Sequence, residues 1–204
     1  MLRNWSGLGM GLVSVLAAGL PGTTSSQGLE KGAWEISGMG AWSYSDDSGP
    51  GPNTVTTQLS LSPALQAYPT RYLFLGPILE YNRVRTDREL SSGIPGSVTL
   101  STRWDLGLQT GILVNWSDAR FRPLPYLGAA AGLSVVSLDI DAGETFEEDS
   151  HLAENGHFFA FFLGSKLRLS ESFYLNLQPT LTLVSIGQSE ALGFRVGTGF
   201  SGTF

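Results

Sequence analysis

The side chains able to do chemistry in this chain fall into three groups. His151 and His157 are its two histidines, and there is no cysteine. Zero Cys removes a catalytic thiol, thiolate metal sites and disulfides. Nucleophilic catalysis needs a base within hydrogen-bond reach and a group that orients it. His157 is followed by Phe158 and Phe159, with no Ser two residues on, so nothing local supplies those partners. The second group is acidic: Asp139, Asp141, Glu144, Glu147, Glu148, Asp149 and Glu154 put seven of the 18 acids into residues 139–156, without Lys or Arg. Hard cations take several oxygen ligands. The irregular spacing favours a solvated, self-repelling loop, and no metal or other cofactor is expected. The third group is a set of isolated charges among small and apolar residues: Glu35, Glu80, Asp105, Arg103, Lys166, Arg168 and Arg195. They nearly balance, which is the signature of pairing rather than of reaction.

What positions these charges is a period of two. Trp34, Ile36, Trp42 and Tyr44 share one parity, with Glu35 and Ser37 on the other. Alternation of this kind marks a strand and is incompatible with one face of a helix. It recurs at Val55, Thr57, Leu59, Leu61 and Leu65, then at Leu73, Leu75, Leu79 and Tyr81, where Phe74 and Ile78 blur it. The fourth segment sets Trp104, Leu106, Leu108, Ile112 and Val114 against Arg103, Asp105 and Gly107. In the fifth, Leu127 to Val135 alternates with Gly128, Ala130, Gly132 and Ser134, small residues that imply a crowded interior. The sixth opposes Phe159, Phe161, Leu163 and Leu167 to Lys166 and Arg168. The seventh opposes Leu175, Leu177, Leu181 and Leu183 to Asn176, Gln178 and Thr180. The last sets Leu192, Phe194, Val196, Phe200 and Phe204 against Gly193, Arg195, Gly197 and Gly199.

Eight such segments are the even number that single-chain membrane barrels use, each near the ~9–11 residues that cross a bilayer at a tilt. Connectors at 68–71, 115–123 and 170–172 are mostly short. Those at 46–53, 86–97 and 139–156 are longer and polar, with a short hairpin at 187–190. With the N-terminus in the periplasm, the longer loops face outside. Trp34, Tyr72, Tyr126, Phe173 and Phe204 then mark one rim, and Trp42, Tyr44, Tyr81, Trp104 and Phe159 the other, as two interfacial girdles.

Arg3, an uncharged apolar run over 7–20 and a small polar stretch to Gln27 have the order of a secretory signal, cleaved between 18 and 28. This divides the chain into a signal at 1–27 and a barrel domain at 28–204. Beyond it no run approaches the ~18 apolar residues of a spanning helix. The formal net charge of -6 argues against nucleic acid.

Alternation alone does not say which parity meets lipid. Gly32-Ala33-Trp34 resembles the Gly-x-Trp that opens lipocalins, and a soluble ligand-binding barrel would bury the apolar parity. The opposite parity, however, combines Gly with Arg103, Asp105, Lys166, Arg168 and Arg195. Glycine makes room for long side chains in a lumen, whereas on a wet surface it would only weaken the strands.

With its signal, eight alternating segments and terminal Phe204, the chain resembles the small bacterial outer-membrane barrels, such as the barrel domain of outer membrane protein A and its porin-like relatives. That resemblance implies an all-β, eight-stranded antiparallel up-and-down transmembrane β-barrel in the outer membrane. Its partners would be outer-membrane lipid and the barrel assembly machinery, which reads the C-terminal strand, and it would act as a monomer. An eight-stranded interior is just wide enough to be filled by side chains. A non-enzymatic, structural or surface-contact barrel with a plugged lumen is therefore expected, with Glu35 pairing to Arg195 across the closing strands and Glu80 to Arg103. The alternatives are a narrow pore, a lipid-modifying enzyme and a lipocalin-like binder.

Overall fold

The computed structural model describes residues 31–47, 54–90, 94–114, 123–141 and 150–204. Segment 1–27, Glu144, Glu147, Glu148, Asp149 and most of the 115–123 connector lie outside the described residues. Eight strands close into one barrel in sequence order: β1 (Trp34–Asp47), β2 (Thr54–Ala67), β3 (Leu73–Leu90), β4 (Ile94–Leu113), β5 (Leu124–Asp141), β6 (Ser150–Arg168), β7 (Phe173–Ile186) and β8 (Ser189–Thr203). Every neighbouring pair is antiparallel, β1 with β8 included.

The apolar parity is outside. Leu106 and Leu108 are 61% and 70% exposed, whereas Glu35 and Asp105 are at 0% and Lys166 at 2%. A soluble carrier needs the reverse, so the lipocalin-like alternative is overturned. In lipid this arrangement satisfies the backbone within the closed ladder and sets a predominantly apolar belt against the bilayer.

At the end holding Trp34 and Phe204, called lower here, the connections are tight. Thr70 Oγ1 accepts from the backbone of Tyr72 and Leu73, and the Arg168 guanidinium donates to the carbonyls of Ser170 and Glu171. Trp34 and Phe204 exchange two backbone hydrogen bonds, at 3.0 and 2.9 Å. At the upper end β7 turns directly into β8, with Ile186 opposite Ser189 and Gly187 at φ 58. That left-handed conformation suits a two-residue hairpin and favours glycine.

Two expected loops are largely ladder. Residues 86–88 and 97–99 pair with one another, as do Leu90 and Ile94, so β3 and β4 run to 18 and 20 residues. Val136–Ile140 likewise pairs with Ser150–Glu154, extending β5 and β6 to 18 and 19. Asp139, Asp141 and Glu154 of the acidic stretch therefore sit on strands. The other four strands have 14 or 15 residues, so the wall is tall over β3–β6 and low over β7, β8, β1 and β2.

The seam between β1 and β8 is the shortest pairing. It runs from Glu35↔Thr203 to Gly40↔Thr198 and stops, while β1 continues along β2 to Asp47 and β8 lies along β7 from Ser189.

Candidate functional site: the lumen

Inward positions form two layers. In the lower layer Lys166 of β6 donates to both carboxylate oxygens of Glu35 on β1, and also to Tyr68 Oη at 2.8 Å. The Tyr68 hydroxyl in turn donates to Glu35 at 2.8 Å, with Gln66 3.1 Å away as the alternative acceptor. Around this pair stands a cage of rings. Phe74 lies 6.0, 6.1 and 6.3 Å, centroid to centroid, from Tyr68, Tyr126 and Phe162. The ammonium sits 5.5 to 6.0 Å from the centroids of Tyr126, Tyr68 and Phe74, within cation–π range.

Glycines directly opposite the rings on the neighbouring strands admit them. A Cβ at Gly111, Gly128 or Gly164 would stand 2.3, 2.6 or 2.4 Å from Phe74, Phe162 or Tyr126 respectively. This is the crowding that the small residues of the fifth segment implied. The layer is as much aromatic as polar, however, which alternation alone did not reveal.

The upper layer is a second network. Glu80 accepts from Asn82 at 2.7 Å, from Arg103 at 3.2 Å and from Arg195. Glu80 and Asp105 stand directly opposite each other on β3 and β4, a like-charge placement that would destabilise the pair by itself. Arg103 bridges them: its Nε lies 3.0 Å from Asp105, too poorly aligned for a hydrogen bond, while its Nη2 serves Glu80. Ser134 donates to the other Asp105 oxygen at 2.6 Å.

Of the two expected pairs, Glu80–Arg103 is present and Glu35–Arg195 is not. Strand adjacency was correct, but the register separates them. Glu35 is opposite Thr203, and Arg195 lies eight residues higher on β8, ~26 Å at about 3.3 Å per residue. Glu35 pairs instead with Lys166, and Arg195 with Glu80, both across the lumen. Arg168 also leaves the set, its guanidinium being held by carbonyls of the lower turn.

Among the aromatics, Trp34, Phe204 and Tyr72 are exposed at the lower rim, and Trp42, Tyr44 and Trp104 at the upper level. Tyr81 is half-buried against Trp104, ring centroids 4.6 Å apart. Tyr126, expected at the lower rim, points inward at 5% exposure and donates to Gln178 at 2.9 Å. His157 lies on the outward parity, exposed, in register with Leu133 and Ser185. No hydrogen bond joins it to Ser185.

No family model and no curated protein matches the sequence. Solved structures share its architecture. The outer membrane protein OprG from Pseudomonas aeruginosa is 17% identical with a TM-score of 0.51, over 88% of this chain and 99% of that one. Ail, the attachment invasion locus protein of Yersinia pestis, is 12% identical at a TM-score of 0.49, over 86% and 100%. Neisserial surface protein A is 14% identical at 0.49, over 84% and 97%. The likeness to OprG, together with the closed eight-strand topology, gives the chain the fold of the small outer-membrane barrels.

Proposed function

We propose that this chain is an integral outer-membrane protein with a structural or surface-contact role, non-enzymatic, whose lumen is closed in its lower half. Residence in the outer membrane is supported by the fold and by the exposed apolar belt, with the two levels of aromatics as its interfacial girdles. The observation that carries the closed lumen is the ring cage around Lys166 and Glu35, where Tyr68, Phe74, Tyr126 and Phe162 are each buried and in mutual contact. An eight-stranded interior filled by side chains leaves no water path. The non-enzymatic reading is supported by the same economy of polar groups: the inward acids are held by Lys166, Arg103 and Arg195, and His157 faces away from them.

Planar-bilayer recording tests the closed lumen. The protein is expected to give no conductance steps, whereas Phe74→Ala combined with Phe162→Ala gives them. Stable steps from the unaltered chain would refute the closure. Membrane fractionation with heat-dependent gel mobility tests the residence.

A further inference from the structure

Above the Glu80 network the lumen widens into a chamber of about 260 Å³, and its lining is lopsided. Side chains of β2, β3, β4, β5, β7 and β8 contribute to it, and none of β1 does among the described residues. β6 is absent from the lining as well, but it is registered with both its neighbours at this height, whereas the pairing of β1 with β8 ends at Gly40↔Thr198, leaving 41–47 and 189–197 without registered partners across the seam. On β7, the registered neighbour of β8, exposure still alternates up to Val184. Along β8 residues 189–194 are exposed whichever way they point, as are 42–45 of β1. Phe194, an outward residue, lines the chamber. Among the described residues the wall is therefore open sideways between β8 and β1, on the low side of the barrel, at the height of Trp42 and Tyr44.

The chamber is amphipathic from top to bottom. Val84, Val136, Val184 and Ile186 line its upper part, and Arg103 and Arg195 its floor. The floor's exposed charge is cationic: the side chains of Arg103 and Arg195 are 23% and 14% exposed, while Glu80 beneath them is 5% exposed and already accepts from both. Arg195 Nη1 is buried and has no hydrogen-bond partner among the described residues. Partly exposed guanidinium groups at the base of a chamber of mixed lining, with Val84, Val136, Val184, Ile186 and Phe194 as its apolar side, match an acidic head with an apolar chain behind it.

We propose that this side opening admits a single-chain anionic amphiphile of the fatty-acid type from the surrounding lipid, its carboxylate on Arg195 and Arg103 and its chain leaving past Phe194. The inference rests on the closed lower layer, which makes the chamber a blind pocket rather than a stretch of pore.

The test uses the isotope-labelled protein in micelles of an uncharged detergent, with a fatty acid carrying a nitroxide near its carboxylate, and the methyl ester of that acid. The acid is expected to broaden the amide signals of Val84, Val136 and Ala191 saturably, with the ester weaker by about tenfold. Val136→Trp, which fills the chamber from the position opposite Arg103, abolishes the saturable broadening while heat-shifted gel mobility persists, and Val184→Trp, opposite Ala191, does the same away from the charge network. Should the first of them not fold, the second carries the test. Broadening confined to belt residues such as Leu108 and Leu163, equal for acid and ester, overturns the proposal, as does unchanged binding by the folded Trp variant. Conductance of the same preparation is recorded separately. Steps there refute the closed lower layer and leave the binding result standing.

Discussion

Replacing Lys166 by Met isolates what the lower layer contributes. Met keeps much of the apolar stem that packs against Tyr68, Phe74 and Tyr126, and it removes the ammonium that both Glu35 oxygens accept from. Glu35, fully buried, is then left with the Tyr68 hydroxyl alone. Removing one partner of a buried pair costs about 3–5 kcal/mol, because the other charge stays out of water. At a urea slope of about 2 kcal/mol per M, the unfolding midpoint falls by about 2 M. Tryptophan fluorescence of the barrel in lipid vesicles reads that midpoint, since Trp34, Trp42 and Trp104 stand on the lipid face. Glu35→Gln together with Lys166→Met recovers most of the loss, because no buried charge remains unpaired. A Lys166→Met midpoint equal to that of the unaltered chain, or a double variant whose losses simply add, would refute the account of the layer.

The upper network makes a complementary statement about partners. In double-mutant cycles Arg195→Leu couples to Glu80→Leu and adds to Glu35→Leu within about 0.5 kcal/mol, the tolerance expected of separated sites. Coupling to Glu35 instead would place the register wrongly. Gly128→Val drives a side chain toward the Thr110 carbonyl oxygen, 2.5 Å from where its Cβ would lie, and toward the Phe162 ring. A loss of about 1–3 kcal/mol is expected from the same urea titration, as for other overpacked interiors. Deleting Phe204 removes both backbone bonds to Trp34. The heat-shifted form should decline in outer-membrane fractions of cells while refolding into detergent continues, and parallel loss in both would assign Phe204 to stability rather than to recognition by the assembly machinery. N-terminal sequencing of the membrane form should begin between residues 18 and 28, and an intact Met1 would exclude cleavage.

Much of the fold was legible because alternation is a direct record of which side meets lipid. Where one face of a strand touches acyl chains, apolar residues recur every second position, and eight such runs could be counted. Above the bilayer both faces of β3–β6 are wet, so the contrast vanishes. Thr86, Asp87 and Arg88 read as loop, yet pair with Thr99, Val98 and Ser97. Phe74, Ile78 and Phe162 were obscure for the opposite reason: apolar residues on both parities blur the period, and only the glycines opposite them hinted that rings were being accommodated. The charged residues were identifiable individually. Their pairing was not, because neighbours along the ladder are set by register, and in a narrow barrel long side chains also reach across to strands that sequence order puts far apart. Glu80–Arg103, a diagonal neighbour pair, was accessible to that reasoning. Glu35–Lys166 and Glu80–Arg195 were not.

The ring-on-glycine wall and the short seam stand on opposite sides of the barrel, β5 facing β1 in the order of eight. The cylinder is consequently anisotropic in compliance. Lateral pressure from the bilayer, or a change in its thickness, meets a wall on β4–β6 locked by interdigitated rings and backbone, and a flank on β8 and β1 tied by six registered pairs. Deformation concentrates on that flank. Amide exchange should trace the same axis, slowest across Gly111, Gly128 and Gly164 and fastest along 41–47 and 189–197, where no registered partner crosses the seam.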